Sequence, residues 1–211
     1  MASRRYDPQA SRADILDAAE RLFAEHGFGD VSTSRIAKKA GVSQSQIHYH
    51  FDTKRKLWAA VFQRRFGDYF ERQAEMLAGT ELEGLDRLGA SIRAYFDFFR
   101  ENPLFIKLLG RAQLDSRGER DEESMAPELM RQGVEVIARG QREGRLRNDV
   151  PPQFILIGFL SLVAFWFQAR DQYVPQTGLE GPPESHDDAY LDFILKTYLR
   201  GVAPGKEHGG S

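Results

Sequence analysis

Apolar residues recur every three or four positions along most of the chain. Nowhere do they alternate with polar ones at period two between hairpin turns, so the pattern predicts an all-α protein of about nine helices. Ile15, Ala18, Ala19, Leu22 and Phe23 make one stripe, which Ser11 and Asp14 are placed to cap and Gly27 to stop. Short helices are expected near residues 34–40 and 44–51, and a long one from a Thr53 cap to about Leu77. Leu85, Leu88, Ile92, Phe96 and Phe99 mark the next, and Asn102-Pro103 opens another. Leu129, Met130, Val134 and Ile137 lie on a helix closed by Gly144. Pro151-Pro152 opens one centred on residues 154–167, apolar on nearly all sides. Ser185 with Asp188 should cap the last helix, ending at Gly201. Residues 116–124 and 175–185 read as loops.

Three bodies are expected: a head over residues 9–69, a larger body over 70–201, and a disordered tail over 202–211. Charge divides the same way. Residues 1–70 carry 12 Lys and Arg against 8 Asp and Glu, a net of +4; residues 71–211 carry 17 against 23, a net of -6. A basic head on an acidic remainder points to a nucleic-acid partner. The 211-residue chain has no Cys, which excludes disulfides and thiolate chemistry. The N-terminus lacks the apolar run of a signal peptide. The 154–167 run is shorter than the about 20 residues a bilayer requires. The expected location is the cytoplasm, with no membrane partner.

Function concentrates in residues 32–51, STSRIAKKAGVSQSQIHYHF. Ile36, Ala37 and Ala40 share one face; Gly41 permits a tight corner and Val42 plugs it. Ser43 and Gln46 have capping-box spacing, and Ile47 and Phe51 point inward at i, i+4. Gln44, Ser45, His48 and Tyr49 are left outside. This is a helix-turn-helix. With ILDAAERLFAEHGF before it and IHYHFDTKRKLW across its end, the segment resembles the DNA-binding domain of the TetR (tetracycline-repressor-like) family. The resemblance implies a dimeric regulator with a three-helix reading head, a connecting fourth helix and a helical body that binds a small effector. The chain departs from the family where Ser45 replaces Gly and His48 replaces Tyr.

From Val42 to Phe51 there is no Lys or Arg. Neutral groups can discriminate bases while flanking cations hold phosphates. The expected DNA contacts are Thr33, Arg35, Ser43, Gln44, Ser45, Gln46, His48, Tyr49, His50 and Lys54. Lys54 stands at a position that the resemblance makes a phosphate contact. Arg4, Arg5 and Arg12 form a basic arm, and Lys38, Lys39, Arg55 and Lys56 add further charge. Gln46 is shared between capping and base reading. In the body, Phe99, Phe105, Phe159 and Trp166 are candidate effector contacts, with Arg170 for an anionic group. No cofactor, metal site or catalytic motif is expected, since the five His lack metal spacing and no phosphate loop or nucleophile elbow is present. The competing reading is a small-molecule binding protein whose role on DNA is secondary or lost.

Overall fold

The computed structural model describes residues 8–78, 82–115 and 126–205. Among them are nine α-helices, one 3-10 turn and no strand. The helices are α1 (Pro8–His26), α2 (Thr33–Ala40), α3 (Gln44–Phe51), α4 (Lys54–Ala78), α5 (Gly84–Glu101), α6 (Pro103–Asp115), α7 (Ala126–Arg142), α8 (Pro152–Gln176) and α9 (Asp187–Val202). They group into two compact units, residues 1–68 with 102–124, and residues 69–101 with 125–211. The expected division at 69/70 did not anticipate that the chain returns to the first unit with α6.

In the first unit, α1 packs on α2, α3 and α6. Its stripe of Ile15, Ala19, Leu22 and Phe23 is buried, as are Ile36, Ile47, Phe51, Leu57 and Val61 from the other helices. An aromatic tier runs through it. Trp58 stands 4.9 Å from Phe23 and 5.0 Å from Phe62, and Phe105 of α6 lies 5.5 Å from Phe62 and 4.9 Å from Phe66. Glu20 of α1 is only 3% exposed. Its carboxylate accepts from Arg64 Nη2 at 2.6 Å and from Arg65 Nε at 2.8 Å, tying α1 to α4.

In the second unit, α8 packs against α5, α7 and α9. Ile155, Leu156, Phe159 and Val163 are buried, with Ile92, Phe96, Phe99, Ile137, Ile194 and Leu195. A Cβ at Gly158 would come 2.8 Å from the Tyr198 hydroxyl, so only Gly lets α9 approach here. That hydroxyl donates to the Ile155 carbonyl. Burial pushes its phenol up to about 12, which keeps the donor proton in place.

Several boundaries moved. α1 begins at Pro8, a residue tolerated in a first turn, so Ser11 is internal. α2 begins at Thr33, one residue earlier than expected, with Ser32 as its cap. Pro175, expected in a loop, is carried inside α8 beside buried Val174. A 3-10 turn at Pro183–His186 precedes α9, and Ser185 donates to the Pro182 carbonyl instead of capping that helix. Val202, assigned to the tail, closes α9 with its side chain buried. The expected loop at 116–124 and residues 206–211 of the tail lie outside the described residues. α8 has 25 residues and a mean hydropathy of 1.6 over its most apolar window, long and apolar enough to cross a membrane by those measures. The apolar run alone understated it, because the helix continues through the more polar turns after Phe167.

Candidate nucleic-acid interface

Three local devices hold α3. Gly41 adopts φ +70, closing α2 with the Val42 amide donating to the Ala37 carbonyl at 3.0 Å. Ser43 and Gln46 form a reciprocal capping box; the Ser43 amide donates to Gln46 Oε1 at 2.8 Å. Ile47 and Phe51 are buried below. Gln44, Ser45, His48 and Tyr49 are therefore turned outward and exposed, Tyr49 by 77%.

Their polar atoms are already partly ordered. Gln44 Nε2 donates to Thr33 Oγ1 at 3.0 Å, and the Ser43 and Ser45 hydroxyls are 2.9 Å apart. His48 Nδ1 lies 3.0 Å from the Asp52 carbonyl oxygen, which can only accept, so Nδ1 carries a proton. The Asp52 amide returns to the His48 carbonyl at 2.8 Å across a turn in which Asp52 holds φ +60. Arg35 lies 2.7 Å from His26 Nε2. His50 is half-buried, with its Nε2 buried without a hydrogen-bond partner and its ring 5.1 Å from that of Tyr49. The capping half of the Gln46 expectation is present: its carbonyl oxygen is occupied by the capping box, which leaves the amide nitrogen.

Lys54 changes role. Its ammonium donates to the Phe28 carbonyl at 2.8 Å and the Val31 carbonyl at 3.0 Å, and lies 4.2 Å from the Phe28 ring centroid. Two of its three donors thus hold the turn between α1 and α2. The acceptors lie more than 20 residues back in the chain, so no local pattern announces them. Lys54→Met should cost about 1.5–3 kcal/mol of stability, the range for bonds to a charged group. It should leave the slope of log affinity against log salt unchanged, where a lost phosphate contact would reduce it by about 0.9. Thermal melting and DNA binding over a salt series check both.

Cations surround this face. Lys38 and Lys39 are exposed in the last turn of α2, where positive charge suits the helix dipole. Arg55 and Lys56 are exposed at the start of α4; Lys56 pairs with Asp52 at 3.0 Å. Arg12 stands 5.2 Å from the Phe51 ring centroid. Arg4 and Arg5 lie outside the described residues.

The proposed effector contacts do not form one group. Phe105 belongs to the first unit, on Phe62 and Phe66, because α6 returns there. Phe99 and Phe159 do share a cluster, at 4.7 and 6.1 Å from Tyr95. Trp166 and Arg170 are engaged elsewhere. Trp166 Nε1 donates to Asp187 Oδ1 at 2.8 Å, Arg170 pairs with the same oxygen, and the Trp166 ring stacks 4.0 Å from Tyr190. Asp187 is 5% exposed and locks α8 to the start of α9. Arg170 is thereby a structural counter-ion rather than an open anion site. Among the described residues, no cluster of three His, Asp or Glu could hold a metal.

Comparison with known proteins bears on both units. Residues 15–61 match the family described as bacterial regulatory proteins, tetR family, and residues 88–189 match the tetracyclin repressor-like C-terminal domain. The chain is 30% identical over 169 residues to the HTH-type transcriptional repressor AcnR of Corynebacterium efficiens, covering 74% of this chain and 84% of that one. It is 24% identical over 214 residues to the HTH-type transcriptional repressor NicS of Pseudomonas putida, covering 96% and 99%. The crystal structure of the transcriptional regulator FadR from Bacillus subtilis in complex with stearoyl-CoA shares the fold, with a TM-score of 0.67 at 17% identity over 88% of this chain and 98% of that one.

Proposed function

The chain belongs to the TetR family and is a DNA-binding transcriptional regulator; on that premise we propose that it is a repressor, which holds a near-palindromic operator as a homodimer and leaves it when a small apolar molecule binds the second unit. Members of this family are typically non-enzymatic transcription factors. A cytoplasmic location follows from the DNA target.

The observation that carries this reading is the outer face of α3. It presents Gln44, Ser45, His48 and Tyr49, all exposed, on a helix fixed by the capping box and two buried anchors. Uncharged hydrogen-bonding groups suit base edges, and the cations of α2 and α4 suit phosphates. Gln44→Ala should change base preference at one or two operator positions by about 1–3 kcal/mol and leave the salt slope unchanged. Competition binding with single-base operator variants reads this directly. A uniform loss across all variants, with a shallower salt slope, would instead assign Gln44 to the backbone.

Support for an apolar effector comes from the aromatic centre of the second unit, where Phe96 and Phe99 lie 4.7 and 5.9 Å from Phe167. FadR, solved with stearoyl-CoA, shows a regulator of this fold carrying a long apolar chain. Phe99 and Phe159 remain the candidate contacts. α4 contributes residues to both units, which makes it the continuous path between effector and head. A ligand preferring the released form by about 100-fold would oppose DNA binding by about 2.7 kcal/mol, and operator DNA must weaken that ligand by the same factor.

A further inference from the structure

We infer that Thr33 is a positioning residue: its hydroxyl sets the amide of Gln44 for base reading and does not itself contact DNA. The inference rests on the assignment of α3 as the base-reading helix. Thr33 opens α2 and Gln44 opens α3, eleven residues later, and Gln44 Nε2 donates to Thr33 Oγ1 at 3.0 Å.

Each end of this bond is fixed independently. The Ser32 side chain caps α2 by accepting from the Arg35 amide at 3.2 Å, and Ile36 and Ala37 bury its inner face. Two residues before Thr33, the Val31 carbonyl is held by Lys54. The capping box and buried Ile47 and Phe51 hold α3. Thr33 is β-branched, which restricts its first torsion and keeps the acceptor in place. Gln44, by contrast, has a long rotamer-rich side chain whose ordering on binding costs affinity.

With one N–H engaged by Thr33, Gln44 keeps its carbonyl oxygen and a second N–H. That acceptor and donor pair is the one that matches N6–H and N7 of adenine. The neighbours do not compete for this role. The Gln46 carbonyl oxygen is occupied by the cap, and the Ser45 hydroxyl is paired with Ser43. Thr33 thus acts through Gln44, and the gap between two helices becomes a determinant of specificity.

The experiment uses the full-length protein and a pool of randomised DNA duplexes, sequenced after selection, with binding repeated over a salt series. Five proteins are compared: wild type, Thr33→Val, Thr33→Ser, Gln44→Ala, and Thr33→Val with Gln44→Ala. Thr33→Val keeps the branched shape but loses the acceptor. It should weaken the preference at the Gln44-dependent position by about threefold to tenfold with no change in salt slope. Thr33→Ser restores the hydroxyl and should recover most of the preference. The double variant should discriminate no worse than Gln44→Ala alone, because both remove one interaction.

A Thr33→Val protein that keeps its base preference, but binds every sequence less tightly with a shallower salt slope, would make Thr33 a phosphate contact and overturn the inference. So would a failure of Thr33→Ser to rescue, or a double variant worse than Gln44→Ala. If Gln44→Ala itself leaves base preference unchanged, the base-reading assignment fails, and the inference fails with it. The Gln44→Ala arm therefore separates the two failures.

Discussion

Phe165→Glu combined with Phe193→Glu should turn the full-length protein into a monomer and weaken its hold on a two-half-site operator by about 100-fold or more. Phe154, Ile157, Leu162, Phe165 and Tyr173 are all exposed on α8, and Phe193 is exposed on α9. At 3.6 residues per turn, the five on α8 fall within an arc of about 160°. The opposite side carries the buried Leu156, Phe159 and Val163. A row of large apolar side chains in water is the mark of a surface that meets a partner. Burying each Phe or Ile there is worth about 1.5–3 kcal/mol. In a two-fold dimer the same patch meets itself, so each introduced carboxylate would be buried near its own symmetry mate. Loss of the dimer removes the second half-site contact, and linking two sites is worth about 10²–10⁴ in affinity. The monomer should keep its fold, because both residues already face solvent within one chain. Sedimentation and operator titration read the two effects. A double variant that stays dimeric with unchanged affinity would place the subunit contact elsewhere.

Glu20→Ala should lower stability by about 3 kcal/mol, the lower end of the range for breaking a buried ion pair. Glu20 serves two guanidiniums at once, with Arg65 Nη2 adding a bond at 2.9 Å to its Nε contact. Removal takes the shared buried carboxylate away from two cations whose side chains are only 23% and 31% exposed. Arg64 Nε is already buried without a partner, so Arg64 has little alternative satisfaction. Asp17 also accepts from Arg64, at 2.8 Å, but is 57% exposed. Asp17→Ala should therefore cost no more than about 1 kcal/mol. For a chain of this size, about 3 kcal/mol lowers Tm by roughly 6–12 °C. Thermal melting of the two variants side by side checks the contrast. Equal small shifts would mean that the Glu20 cluster contributes no more than a surface pair.

What could be read ahead of the structure was local. The Gly41 corner, the Ser43–Gln46 capping box and the inward pair Ile47 and Phe51 each rest on offsets of four residues or fewer, where backbone geometry dictates the partner. The helices of the second unit were visible for the same reason, through stripes such as Leu88, Ile92, Phe96 and Phe99. Long-range partners were not visible. Lys54 reads as a phosphate-contacting cation, and nothing near it in sequence announces the carbonyls of Phe28 and Val31 that its ammonium meets. Arg170 and Trp166 read as ligand contacts beside an apolar run, until Asp187 arrives from α9 to take both. Phe105 has the same composition around it as Phe99, and only the return of α6 puts it in the first unit. The outward face of α8 was hidden too, since an all-apolar helix does not declare which side its own chain leaves uncovered.

The measurement that bears most directly on the function is selection of DNA from a randomised duplex pool by the wild-type full-length protein at physiological salt. The expected product is one enriched inverted repeat. Its half-sites should lie about 34–36 Å apart, one turn of the duplex, or a multiple of it. Enrichment of a single unrepeated half-site would contradict dimeric reading by two copies of α3. Binding without any sequence enrichment would contradict base reading by its neutral outer face.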